Sequence, residues 1–184
     1  MARLAALVLA CAALPGIAAE PCRESLPEAR MIGQGEYRWL GLRVYVAQLW
    51  MARAPVSGAA AAAANSPDVL QAPFALRLIY ARDIPQQRLV ETSIDEIRRI
   101  HGDSLSDTTA DRWRHALSRV LVDVRAGDCM TGVYSPAQGA RFYANDRETG
   151  RLDDPVLARA FFAIWLDPST RDPALRQKLL GPAR

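Results

Sequence analysis

Lysine is almost missing from this chain: Lys178 is the only one, so 22 of its 23 basic residues are arginines. Histidine is as scarce, with only His101 and His115. Neither sits near a Cys-x-x-Cys, a His-Glu-x-x-His or a carboxylate cluster, so the pattern offers no zinc site, and neither metal nor cofactor is expected. No Gly-x-Ser-x-Gly elbow is present for serine hydrolysis. The 23 basic residues face 20 acidic ones with no block of five like charges, which excludes a nucleic-acid-binding arm. Three cysteines are too few for a disulfide-dense miniprotein, and 11 glycines too few for a collagen-like chain. Beyond the first nineteen residues no apolar run is long enough to span a bilayer, so no transmembrane segment is expected.

What is present is a 184-residue chain, 50% hydrophobic and 23% charged, enough for one compact domain. Arg3, the apolar run Leu4 to Leu14 and the small residues before Glu20 read as a cleaved secretory signal over residues 1–19. That leaves a single domain over residues 20–184 in the periplasm. A lipobox at Val8-Leu9-Ala10-Cys11 is the weaker alternative, because it shortens the apolar run and puts leucine where smaller residues are usual. The mature chain keeps Cys22 and Cys129, a disulfide candidate in an oxidising compartment. A bridge closing a loop of roughly a hundred residues contributes on the order of 4 to 5 kcal/mol by loop entropy.

Tyr37 to Trp50 reads as one long strand, or two joined at Gly41, with neither face cleanly polar. Pro55 to Pro73, with six alanines in a row, reads as an exposed loop with a turn or two of helix. Phe74 to Ala81 is a strand. Pro85 opens a helix whose stripe runs from Leu89 to Ile100 and stops at Gly102, and Thr109 or Asp111 caps a second. Cys129 to Tyr134 and Ala140 to Ala144 form a hairpin, followed by a turn over Asn145 to Gly150. Asp154-Pro155 opens a helix from Val156 to Leu166 that is apolar on nearly every side, and Asp172-Pro173 opens a short last one ending at Gly181. Asp128 reads as a turn residue and Asp153-Asp154 as helix capping. The grouping of strands and helices favours an α+β layer architecture.

Several of these segments carry a resemblance. Gly33-Gln34-Gly35, Val44 to Trp50, Gly127-Asp128, Thr131 to Tyr134, Phe142-Tyr143, Phe161 to Pro168 and Leu179-Leu180-Gly181 together resemble the bacterial, exported branch of the chalcone isomerase-like family, over about residues 31–181. The resemblance implies a large antiparallel β-sheet with a layer of helices packed on one face. It implies one of two functions. Some members close a hydroxychalcone to a flavanone, whereas others bind fatty acids in the same cleft without catalysis. The enzymes use an arginine after the glycines, a threonine before the Val-Tyr pair, a tyrosine after a Gln-Gln pair and a hydroxyl before the phenylalanine-rich helix. Here Arg38 falls one residue later than that arginine, with Arg43 as the nearby alternative. Trp39 to Leu42 offer no hydroxyl, Arg88 replaces the tyrosine, and the last position falls near Ala158.

The expectation is therefore a non-catalytic binder of a fatty acid or similar amphipathic carboxylate, with an enone isomerase and a cell-envelope interaction protein as alternatives; protein partners are unknown. Arg38, Arg43 and Arg77 are the candidate carboxylate anchors, since a guanidinium pairs with a carboxylate in bidentate fashion. Tyr45 and Tyr80 are candidate hydroxyl donors, and Arg88 a further cation. Each has a structural alternative: surface arginines, core tyrosines, or a solvated helix start.

Overall fold

The computed structural model describes residues 29–52 and 68–181. The segment read as a secretory signal, Cys11, Cys22 and most of the alanine-rich loop lie outside the described residues. Six strands form one antiparallel sheet in sequence order: β1 (Ala29–Trp39), β2 (Leu42–Ala52), β3 (Phe74–Tyr80), β4 (Cys129–Ser135), β5 (Gly139–Ala144) and β6 (Arg147–Leu152). Among the described residues four α-helices accompany it: α1 (Gln86–His101), α2 (Asp107–Ser118), α3 (Pro155–Leu166) and α4 (Pro173–Leu180). The α+β architecture expected from the sequence is the one observed.

The long apolar segment after Gly35 is two strands, joined by the two-residue turn Leu40-Gly41 with Trp39 opposite Leu42. Alternation then decides which residues meet the helices. Tyr37, Tyr45 and Tyr80 are direct cross-strand neighbours, as are Ala47 and Leu78, Leu49 and Leu76, and Gly132 and Phe142. This inner face carries the core, into which α3 sends Phe161, Phe162 and Trp165. Phe162 lies edge-on to Phe74 at 5.1 Å and Phe161 edge-on to Trp165 at 5.4 Å. Gly132 leaves room for this packing, since a Cβ there would meet the Phe162 ring at 2.7 Å.

Helix starts follow the chemistry of their caps. The Asp154 side chain accepts from the amides of Val156 and Leu157, and that of Asp172 from Leu175. Asp154 also accepts from the Trp113 indole of α2. Asp128 accepts from the amide of Arg125 and the side chain of Asn145, which makes it the turn residue its neighbours suggested.

Three boundaries differ from the sequence reading. Helix α2 starts earlier, capped by Ser106 rather than Thr109 or Asp111, because the Ser106 hydroxyl accepts from the Thr109 amide. The stretch read as a turn after Ala144 holds a sixth strand, with the turn reduced to Asn145-Asp146. Strand β1 begins at Ala29, upstream of the aromatic residues.

Candidate functional site

Between the inner face of the sheet and helices α1, α3 and α4 lies a cavity of about 890 Å³. This falls within the roughly 300–1,000 Å³ of small-molecule sites. Its wall is apolar where the strands are central, with Leu76, Leu78, Met130, Phe142 and Phe161. Its polar part comes from the row Tyr37, Tyr45 and Tyr80 on the sheet, and from Glu96, Arg171 and Asp172 on the helical side.

The tyrosine row is held by ring contacts and one hydrogen bond. The Tyr37 and Tyr45 rings stack at 5.1 Å, and Tyr45 meets Tyr80 edge-on at 6.0 Å. The Trp165 indole N–H donates to the Tyr45 hydroxyl oxygen at 2.9 Å, leaving the Tyr45 proton free to be donated in turn. Tyr80 is only 4% exposed, and its hydroxyl makes no hydrogen bond among the described residues. Burial pushes the Tyr45 phenol far above its ordinary value, the Trp165 bond offsetting part of that, and pushes Tyr80 well above it by burial alone. Tyr37 is raised too, by burial and then by the Glu96 charge.

Both phenols therefore keep their protons through the physiological range, and a pH prediction follows. The stability that these neutral hydroxyls support is whole below the unfolded tyrosine value of about 10 and declines as pH rises past it, because the unfolded chain releases its protons first. Denaturant titrations at pH 9 and 11 should show an alkaline loss of up to about 1.4 kcal/mol per pH unit per phenol, with a shallower slope in Tyr80→Phe. An identical slope in that variant would show that Tyr80 does not titrate as a buried phenol.

On the helical side, Glu96 is clamped between two guanidiniums, Arg171 Nε at 2.6 Å and Arg99 Nε at 2.8 Å. Arg171 thus reaches the cavity wall with its charge already paired. Arg88 also lines the cavity, exposed at the rim, and forms no ion pair among the described residues.

Of the six residues singled out from the sequence, the structure brings Tyr45, Tyr80 and Arg88 to this cavity. The other three lie elsewhere. Arg38 and Arg43 are exposed near the hairpin turn, where both bind Glu36, at 2.7 and 3.3 Å. Arg77 is buried on the opposite face of the sheet, against Gln48 Oε1 at 3.3 Å and 5.0 Å from the Trp50 ring centre. Strand alternation explains this, because Arg77 cannot face the side to which Leu76, Leu78 and Tyr80 point. Sequence reasoning missed Tyr37, Glu96, Trp165 and Arg171. Only Tyr37 left a signal, its place on the same strand face as Tyr45.

Among the described residues, no group of three or more His, Cys, Asp or Glu side chains is placed to hold a metal ion. No helix among them is long and apolar enough to cross a membrane.

The family model for chalcone isomerase-like proteins matches residues 32–181. No curated protein matches the chain by sequence. Among solved structures, the chain is similar to the crystal structure of a fatty-acid binding protein of Arabidopsis thaliana, with a TM-score of 0.59 and 13% identity, over 83% of this chain and 87% of that one. At that identity the likeness is one of fold. With the family match covering every described strand and helix but the first residues of β1, the chain belongs to the chalcone isomerase-like family.

Proposed function

We propose that the protein is an exported, non-catalytic binder of a fatty acid or similar amphipathic carboxylate, held in the cavity between sheet and helices. The observation that carries this reading is an apolar cavity of about 890 Å³ with two phenol protons, those of Tyr45 and Tyr80, uncommitted within it. An acyl chain lies against Leu76, Leu78, Met130 and Phe161. The head group takes hydrogen bonds from the phenols or pairs with Arg88 at the rim. The similarity to a structure described as a fatty-acid binding protein supports the same direction. The position at which the family's enzymes carry a hydroxyl falls near Ala158, which is wholly buried.

Native mass spectrometry of the gently purified protein tests the reading. A co-purifying or added fatty acid should appear as a one-to-one adduct at micromolar concentration, and its absence defeats the proposal. Consumption of a hydroxychalcone faster than the buffer blank would replace it with the isomerase reading.

Export belongs to the same proposal, as does a bridge between Cys129 and Cys22. The bridge is supported by the complete burial of Cys129 at the start of β4 and by the oxidising compartment that export implies. Intact mass of the secreted protein should give a chain starting at Glu20, without lipid and two hydrogens lighter than its reduced form.

A further inference from the structure

The turn between β1 and β2 is unfavourable for folding on two counts. Trp39 is 53% exposed, Leu40 86% and Leu42 56%, so three large apolar side chains stand together in solvent. Leu40 also has φ +50°, followed by Gly41 at +79°. Two-residue hairpin turns with positive φ at both positions favour Asn, Asp and Gly, because a bulky side chain crowds its own backbone in the left-handed region. The same sheet supplies the comparison: its other two-residue turn, closed by Ala144 and Arg147, uses Asn145 at +45° and Asp146 at +71°. Leucine at position 40 thus carries both a backbone penalty and an exposure penalty that asparagine would avoid.

Charge and location indicate what the tip meets. Arg38 and Arg43 flank it and share the single carboxylate of Glu36, leaving a surplus positive charge beside the apolar side chains. Trp39 also lines the cavity, so the tip lies at its mouth. Tryptophan and leucine beside arginine suit the boundary between phospholipid head groups and acyl chains. A second copy of the chain is a poorer occupant, since three side chains cover far less than a stable dimer interface and two such tips repel each other. We propose that this hairpin tip docks the protein on a bilayer surface containing anionic phospholipid, with Trp39, Leu40 and Leu42 entering the head-group boundary and Arg38 and Arg43 meeting phosphates. The docking surface does not depend on which molecule fills the cavity.

Co-sedimentation of the mature chain with phosphatidylcholine vesicles, with and without about one third phosphatidylglycerol, tests this. The protein should partition onto the anionic vesicles, and Leu40→Asn should weaken that partitioning by roughly tenfold. Its thermal midpoint should be unchanged or higher, since asparagine accepts the left-handed turn. A loss of binding with retained or raised stability separates a docking role from a structural one. Should Leu40→Asn fold poorly, the double variant Trp39→Ser, Leu42→Thr, which leaves the turn intact, decides by the same partitioning. Three results overturn the proposal: no partitioning of the natural protein, partitioning unchanged in the tip variants, or tip variants that alter only a monomer–dimer equilibrium in sedimentation velocity.

Discussion

Replacing Gly33 by valine should lower the thermal unfolding midpoint by roughly 6–12 °C, the equivalent of about 3 kcal/mol in a domain of this size. The reason is space rather than backbone freedom. Helix α4 packs so closely on β1 that a Cβ at position 33 would lie 2.1 Å from the Lys178 carbonyl oxygen and 2.5 Å from that of Leu179. Those are backbone atoms, and no rotamer change moves them away. The strand and the helix must separate, which loosens the burial of Leu175 and Leu179. Gly35 provides the control. Its added Cβ would first meet the Leu175 Cδ1 at 2.7 Å, the far end of a side chain that can turn aside. Gly35→Ala should therefore cost about 1 kcal/mol, less than Gly33→Ala. Because Leu175 also lines the cavity, the Gly33 variant should lose ligand as it loses stability. A valine at 33 that unfolds within a degree of the natural protein would mean that α4 is not seated as described.

That contact shows where sequence reasoning reaches and where it stops. Gly33 and Gly35 stand out in the sequence as punctuation before a strand, yet what requires them is a helix some 140 residues later. A local pattern carries no record of that approach. The starts of α3 and α4 were legible because their cause is local: Asp154-Pro155 and Asp172-Pro173 put a side-chain acceptor and a ring with no N–H where the first turn needs them. The apolar helix from Val156 to Leu166 was legible as a core element for the same reason. Strand β6 was not, since its segment Arg147-Glu148-Thr149-Gly150-Arg151 is polar and a glycine occupies one inward position. Its pairing with β5 reveals it, and pairing is a non-local fact.

The site divides along the same line. Alternation places Tyr80 and Arg77 on opposite faces of β3, so the two cannot both line one cleft, but it does not say which face the helices cover. The helices cover the side of Leu76, Leu78 and Tyr80, which selects the tyrosines and leaves Arg77 behind the sheet. Arg38 and Arg43 fail for another reason. They border the exposed hairpin turn, where Glu36 binds both of them and turns their charges away from the cavity wall.

Tyr80→Phe should weaken binding of a fatty acid by roughly tenfold while leaving the unfolding free energy unchanged. The two halves of that expectation have one cause. The Tyr80 hydroxyl lines the cavity and makes no hydrogen bond to another described residue, and it is not a sealed, unsatisfied group, so in the empty protein it holds nothing in the fold. Removing its oxygen therefore breaks no contact within the protein. With a ligand oxygen in reach the same hydroxyl gains a partner, and a hydrogen bond to a charged acceptor contributes about 1.5 kcal/mol or more, near a factor of ten. Tyr45→Phe should behave differently. It also strands the Trp165 indole N–H, which now donates to the Tyr45 oxygen at 2.9 Å, so it should cost about 1–2 kcal/mol of stability along with affinity. Calorimetric titration with dodecanoate, paired with denaturant unfolding of each variant, reads both quantities. A Tyr80→Phe protein that binds dodecanoate as tightly as the natural one would remove the phenol from the head-group site and leave the rim, with Arg88, to hold the carboxylate.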